Sequence, residues 1–510
     1  MDIKSCLERF CALESALLEG ERALQIISWD RRANTPAAAG AERGHTVGYL
    51  SDLQHQLLTS AELRSLLDTL SQPEVLEGLN AAMRSRIRLV KRDSDRMAAI
   101  PRDMHAEFSV LQTQSEAAWE QAKRTNDWPL YRPYLQRMFD YTSRFIDLWG
   151  YEGSRYNALI GREEEGMTAE RLDALFADIR AGVVPLVKAV QSSGADIDDD
   201  FCRQGPFPID KQRRLGNYLL DLIGFRRDWG VLAESEHPYT CSFGPHDVRL
   251  TTHYYESGFL PALFSTLHEG GHGLYEQCIA PELHRTRAGC GLAGGMHESV
   301  SRFWENMVGR SLPFWQYNLP KLQELFPEQL GSATPEDIYR AVNKCGRSYT
   351  RMEADELTYN LHIMLRYELE RDVFEGRAKV DDLPGLWRDK MQSYLGLTPP
   401  SDTLGILQDI QWSMAQFGYF PTYTLGNLYN AQYTAALRRE LDFDGLIRQG
   451  QYAAIRDAMR DRLYRFGSVR TPAQAMLEMT GGEVSARYLV EYLTQKFSAL
   501  YRLKTTAARD

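Results

Sequence analysis

Two histidines four residues apart, with a glutamate directly after the first, can hold a metal ion and a proton acceptor side by side. The stretch His268-Glu269-Gly270-Gly271-His272 supplies that set. On a helix, positions i and i+4 share a face, so both imidazoles can reach one ion. Glu269 then stands beside it as a general base. Zinc suits such a site when a third protein ligand is present and the fourth position is left to water. Zinc held this way lowers the pKa of water toward about 7 and polarises a carbonyl, which is the chemistry of peptide hydrolysis. Glu269 would take the proton and hand it to the leaving amine. A bare match to this short pattern also arises by chance, and the stretch is then a helix with two partly exposed histidines.

The third ligand proposed from the sequence is Glu298. Val300, Phe303, Trp304 and Met307 recur behind it at helical spacing, so Glu298 can project from a second helix facing the first. Spacing alone does not separate that role from an ordinary exposed glutamate. His297, its neighbour, is a rival ligand or a partner of one. A tetrahedral oxyanion also needs a donor such as a tyrosine hydroxyl. Tyr419 and Tyr423 follow an irregular stretch over 396–421 and are candidates, although packing in a core is the usual fate of a tyrosine. His237 precedes Pro238 and is therefore held extended; it touches substrate or makes a structural hydrogen bond. His45, His55, His105, His284 and His362 read as surface or core histidines.

The elements that must position these groups are mostly helical. Ala, Leu, Arg and Glu are abundant, and apolar residues return every three or four positions. Around the motif, Leu263, Leu267, Leu274 and Tyr275 keep helical spacing. Gly270, Gly271 and Gly273 each cost a helix interior roughly 1 kcal/mol against alanine. A substrate strand or a packed neighbour must therefore approach that helix closely. Thr334-Pro335-Glu336-Asp337 reads as a helix start with a cap, a proline at the first helical position and acids in the first turn, and Thr471-Pro472-Ala473-Gln474 does the same with a capping-box glutamine. Residues 235–260 break the pattern with Pro, Gly, Thr and Tyr, and with a β-like run over Val248–Tyr255. They predict a small sheet or ribbon just before the key helix. The length of 510 residues suggests two to four domains. Yet no repeat, low-complexity tract or linker divides the chain, so one large helical body with a cleft is expected.

Composition narrows the partners. Hydrophobic residues make up 43% and charged residues 25%, as in ordinary globular proteins. A net charge of −10 disfavours nucleic acid and anionic membranes. The seven cysteines are odd in number and irregularly spaced, with no C-x-x-C pair. They predict neither a thiolate zinc site nor a disulfide framework, and they fit a reducing compartment, the cytoplasm. The first twenty residues carry charges throughout and read as no signal peptide. No run of about 18 apolar residues predicts a membrane span.

Several separate blocks, in order, resemble the carboxypeptidase Taq family of metallocarboxypeptidases, from near Trp29-Asp30 past Gln432. They are His237-Pro238-Tyr239; Asp247-Val248-Arg249-Leu250-Thr251; the motif His268–His272; His297-Glu298-Ser299; Arg351 with Ala354 and Asp355; and Gly405, Gln408, Asp409 and Trp412, followed by Phe417–Tyr423. The resemblance implies a mainly α, two-lobed body with a deep substrate cleft, similar to neurolysin-like peptidases. It implies a single unit over 1–510 with a metal-binding core at about 235–430. It further implies a cytoplasmic homodimer with one zinc ion per chain, replaceable by cobalt, that removes single residues from the free C-termini of peptides. Glu298 becomes the third ligand, and Tyr423 the favoured hydroxyl donor. Arg249 and Arg351 become carboxylate anchors, since a guanidinium grips a carboxylate through two charged hydrogen bonds. Read without the resemblance, Arg249 braces a turn with Asp247, and Arg351 pairs with Asp355 on a helix surface. His237, Gln408 and Tyr419 fall on the substrate-binding side.

Departures accompany the likeness. Gln411 stands where the family has a histidine near the substrate or its tetrahedral intermediate, and an amide can donate a hydrogen bond but cannot carry a proton charge. Val300, Tyr239 and Thr350 replace glutamine, phenylalanine and an aliphatic residue. Two other readings compete. An oligoendopeptidase of similar fold would need no carboxylate anchor. A helical peptide-binding protein with a weakened site is favoured by Gln411 alone, and the intact His268, Glu269, His272 and Glu298 oppose it.

Overall fold

The three- and four-residue apolar spacing winds 69% of the chain into helix in a computed structural model. The model describes residues 2–33, 36, 39–203, 205–292 and 294–503. Both anticipated helix starts form. The Thr334 hydroxyl accepts from the Asp337 amide at 3.2 Å while the Asp337 carboxylate accepts from the Thr334 amide at 2.9 Å. Thr471 and Gln474 exchange the same pair of bonds at 3.3 and 2.9 Å. Each box satisfies two amide donors that a helix start otherwise leaves without partners.

Two large apolar cores result among the described residues, together with a small cluster of Ile279, Leu283 and Ala288. The smaller core is built by helices Ile3–Ala33, Ala61–Leu70 and Ala81–Ala99, around Phe10, Leu13, Leu63, Leu66, Leu67, Leu70, Ile87 and Val90. The larger takes in residues from Phe108 to Tyr501. Through it runs the helix Phe420–Glu440, buried along nearly its whole length. This helix packs against Gly295–Arg302, Tyr359–Phe374, Pro472–Thr480 and Arg487–Tyr501.

A three-stranded sheet precedes the motif helix. Strands β1 (Gly230–Glu234), β2 (Thr240–Ser242) and β3 (Val248–Thr252) lie in the order β1-β3-β2. β1 runs parallel to β3, with Gly230 opposite Val248, and β2 runs antiparallel, with Thr240 opposite Leu250. The sheet thus begins upstream of the anticipated ribbon, and β3 stops at Thr252 rather than Tyr255. The sequence Gly-Val-Leu-Ala-Glu of β1 lacks a run of β-branched residues; backbone pairing to the buried β3 makes it a strand. β2 lies at the sheet edge, beside the motif helix.

That helix spans Leu260–Gln277. Its glycines answer to packed neighbours. A Cβ on Gly271 would lie 2.8 Å from Ser301 Cα and 2.9 Å from the Val300 carbonyl, so the glycine lets the backbone of Gly295–Arg302 close in. The anticipated irregular stretch forms between the helix ending at Leu395 and the one starting at Phe420. None of the seven cysteines is in a disulfide, and among the described residues no helix is long and apolar enough to cross a membrane.

Candidate metal centre

The motif helix and Gly295–Arg302 lie side by side and bring His268, His272 and Glu298 together. One ligand atom from each can be chosen so that all three lie within 4.8 Å of one another. Glu298 Oε2 is 3.7 Å from the Nε2 atom of each histidine. The two rings are 5.0 Å apart at 83°, so their lone pairs converge without stacking.

Hydrogen bonds fix which nitrogen each ring presents. His268 Nδ1 lies 2.9 Å from Glu305 Oε2. Glu305 also meets Arg302 and Arg310 at 3.3 and 3.4 Å. Although burial opposes ionisation, these cations and His268 hold the Glu305 carboxyl well below the usual range. As an ionised acceptor, Glu305 takes the Nδ1 proton of His268 and leaves Nε2 free. His272 Nδ1 meets His297 Nδ1 at 2.6 Å, and His297 Nε2 meets Glu276 Oε1 at 3.0 Å. Burial of Glu276 is outweighed by its bonds from His297 and from the Gly291 amide, so its carboxyl is also depressed. Protons therefore point from His272 to His297 and from His297 to Glu276, which frees His272 Nε2. Burial and the nearby His297, His268 and Arg302 push the His272 imidazolium far down, so this ring is neutral at neutral pH. Burial works the same way on His268, but the carboxylates of Glu298 and Glu305 outweigh it and raise the ring.

The donor set fits a divalent metal: two neutral-capable imidazole nitrogens and one carboxylate oxygen, each fixed from behind. Arg302 Nε holds Glu298 Oε1 at 2.8 Å and leaves Oε2 toward the histidines. Gly426, inside the long central helix, permits this approach; a Cβ there would lie 2.9 Å from Glu298 Cγ. Glu269 is buried next to the set. Its Oε2 accepts from the Thr240 hydroxyl of β2 at 2.6 Å, and burial raises its carboxyl above the ordinary value.

Comparison with known proteins agrees with this geometry. The family model described as carboxypeptidase Taq (M32) metallopeptidase matches residues 13–497. The chain belongs to the M32 family. As an M32 protein it is a metallocarboxypeptidase, a hydrolase. It is 38% identical over 504 residues to carboxypeptidase 1 of Bacillus subtilis, covering 99% of this chain and 100% of that protein. Thermostable carboxypeptidase 1 of Thermus thermophilus is 36% identical over 486 residues, covering 93% of this chain and 95% of that protein. The crystal structure of an M32 carboxypeptidase from Deinococcus radiodurans has a TM-score of 0.93 at 34% identity, over 98% of this chain and 100% of that one.

Around the M32 centre the other sequence candidates fall into two groups. Arg351 is buried, and its Nε donates to Asp409 Oδ1 at 2.6 Å. Arg366 takes the other Asp409 oxygen at 2.6 Å. The Nη groups of Arg351 make no hydrogen bond among the described residues, and the Arg351 guanidinium lies 5.1 Å from the Tyr423 ring. Tyr423 in turn meets the Tyr419 ring at 5.3 Å and the Tyr359 ring at 6.4 Å, and Arg302 lies over Tyr359 at 4.6 Å. Arg351, Tyr419 and Tyr423 thus form one wall with the metal centre. Burial pushes the Tyr423 hydroxyl up to about 12, so it stays protonated as a donor. Gln411 is buried, with its amide oxygen unpartnered.

The remaining candidates are engaged elsewhere or stand apart. Arg249 binds Asp247 through Nε and Nη2 at 2.8 and 3.0 Å and braces the turn before β3. Gln408 donates to the Tyr349 and Leu404 carbonyls and accepts from Arg366, so its amide shapes the wall behind Arg351. His237 is exposed in the loop between β1 and β2. Asp355 does not pair with Arg351; it accepts from the Leu357 and Thr358 amides instead. Sequence reasoning missed Glu305, Arg302, Glu276, Thr240 and Tyr359, and Tyr359 has a buried hydroxyl without a partner. Glu298, Arg302 and Glu305 stand at i, i+4 and i+7, a spacing that could have revealed one face.

Glu370 ties the irregular stretch to this wall. Its fully buried carboxyl accepts from the Tyr156 hydroxyl at 2.7 Å, from the Gly418 amide at 3.0 Å and from the Trp412 indole. Burial outweighs these bonds and pushes it from 4.5 up to about 7. The folded state therefore binds this proton more tightly than the unfolded one, so stability falls as pH rises through the window from about 4.5 to 7. The contribution lost is about 3 kcal/mol. Unfolding free energies from urea titrations at pH 5 and pH 8 should differ by that much more in the native protein than in Glu370→Gln. Equal differences in the two proteins would refute the assignment.

Proposed function

We propose that this M32 chain is a zinc-dependent carboxypeptidase that removes single residues from the free C-termini of peptides. The observation that carries the reading is the convergence of His268, His272 and Glu298 within 4.8 Å, with Glu269 buried beside them. His268, His272 and Glu298 would hold one zinc ion per chain, for which cobalt could substitute. When bound, zinc supplies the Lewis acidity that acidifies water and polarises the scissile carbonyl. Glu269 takes the proton from the attacking water and delivers it to the departing amine, with Thr240 keeping its carboxylate oriented. Tyr423 donates to the developing oxyanion, and Tyr419 stands beside it. Arg351 turns its free Nη groups to the terminal carboxylate, with Asp409 holding the guanidinium in place. Gln411 offers its unpartnered amide to the peptide backbone.

The whole chain acts as a single unit whose metal-binding core lies at about 235–430, and the enzyme is a cytoplasmic homodimer. Seven cysteines without a disulfide fit the reducing compartment; the dimer follows the family resemblance.

Mass spectrometry of one unstructured peptide, as free acid and as amide, tests this reading with zinc-loaded protein. Stepwise loss of single residues from the free acid alone is expected. Internal cuts in both forms would replace the reading with an oligoendopeptidase, and cutting of neither with a peptide-binding protein weakened at Gln411.

A further inference from the structure

One charged cluster beside the centre has no part in the mechanism above. The helix Ala81–Ala99 carries Arg88, Arg92 and Arg96 at successive four-residue intervals, so they share one face. Arg88 forms an ion pair with Glu165, just beyond the helix Asn157–Glu163. That pair fixes the arginine face against residues 162–165. The Trp149 indole N–H, donating to the Arg96 carbonyl at 3.1 Å, holds the other end. Residues 162–165 also border the metal centre. A Cβ on Gly294 would lie 2.1 Å from the Glu163 carbonyl, and the Glu164 carboxyl accepts from the Gly295 amide at 2.7 Å. Glu298 follows three residues later on the same helix.

The arginines of this cluster are not equivalent. Arg88 has Glu165. Arg92 donates twice to Asp93 Oδ1 at 3.0 Å, and Arg287 holds the other Asp93 oxygen. Arg162 holds Glu163 at 2.6 Å. Arg96 has no such partner. Half-buried, its side chain makes no hydrogen bond and no ion pair among the described residues. Burial, followed by repulsion from Arg92 and Arg162, pulls it down to about 10, still charged at neutral pH. A partly desolvated guanidinium that is repelled by its neighbours, with the nearby carboxylates already taken, is stabilised by an incoming anion.

We propose that Arg96, flanked by Arg92 and Arg162, forms a subsite for an acidic side chain of the peptide substrate. The inference rests on the carboxypeptidase reading. With the terminal carboxylate at Arg351, the bound peptide meets Arg96 upstream of the residue removed. Residues 162–165, packed on Gly294 and Gly295, lead from the arginine cluster to the helix that carries Glu298.

The test uses zinc-loaded full-length protein and pairs of free-acid peptides that differ only by Glu or Gln at the second, third or fourth residue from the C-terminus. At low salt, kcat/KM should favour the Glu member about 10-fold at one position, the worth of a charge-assisted hydrogen bond. High salt should reduce the preference as the charges are screened. Arg96→Gln should bring the ratio near one, and Arg96→Lys should keep part of it. Both peptides are read on one sample, so the ratio is insensitive to a loss of folded enzyme. A wild-type ratio near one at every position, or a ratio that Arg96→Gln leaves intact, overturns the subsite while the carboxypeptidase reading stands. Cleavage of no peptide overturns both.

Discussion

Glu269→Gln should bind its metal as the native enzyme does and lose about 10²- to 10⁴-fold in kcat, the range that a positioned general base contributes. The substitution is nearly isosteric. Thr240 donates to Glu269 Oε2 at 2.6 Å, and an amide oxygen can accept the same bond, so the helix and the three ligands keep their places. What the amide cannot do is take a proton. The carboxyl it replaces is raised by burial, which makes it a stronger base than an exposed glutamate. The measurement is paired: zinc per chain by elemental analysis, and turnover of one peptide. Full zinc with turnover within about 10-fold of the native enzyme would remove Glu269 from its role.

The parts of this site visible in the sequence were those written in local spacing. The i, i+4 histidines need only a helix, and the apolar stripe at Leu263, Leu267, Leu274 and Tyr275 ensures one. The glycines of that helix announced a close neighbour, but not that it would be the backbone at Ser301. Through-space partners were hidden. Thr240 reaches Glu269 from an edge strand whose position depends on β1, and β1 is a strand because of its pairing, not its composition. Glu276 and His297 are 21 residues apart in sequence yet bonded. Glu305 meets His268 from a segment, Phe303–Gly309, that winds as a π-helix and that apolar spacing reads as ordinary α. Arg249 shows the converse. Its motif suggested an anchor, and the local pair with Asp247, two residues away, is the contact that forms. The separate N-terminal core also escaped notice, because helical spacing says which faces are apolar and not which helices share them.

Glu298→Ala should weaken zinc binding by more than about 100-fold, beyond the 10- to 100-fold typical of losing a group that only supports a ligand. Glu298 supplies the carboxylate between the two Nε2 atoms, 3.7 Å from each, and neither Glu305 nor Glu276 is free to replace it. Glu305 is held by His268, Arg302 and Arg310, and Glu276 by His297 and the Gly291 amide. Loss of Glu298 also releases Arg302 Nε, which adds a cation with one fewer counter-charge beside the site and further disfavours a divalent ion. His297→Gln makes the graded comparison. It breaks the chain from Glu276 to His272 without removing a ligand, so zinc affinity should fall by only about 10- to 100-fold. Competition with a chromophoric chelator measures both, with circular dichroism confirming that each variant is folded. Unchanged zinc stoichiometry in Glu298→Ala would refute the ligand set. A larger loss in His297→Gln than in Glu298→Ala would make the histidine the third ligand and the glutamate its support.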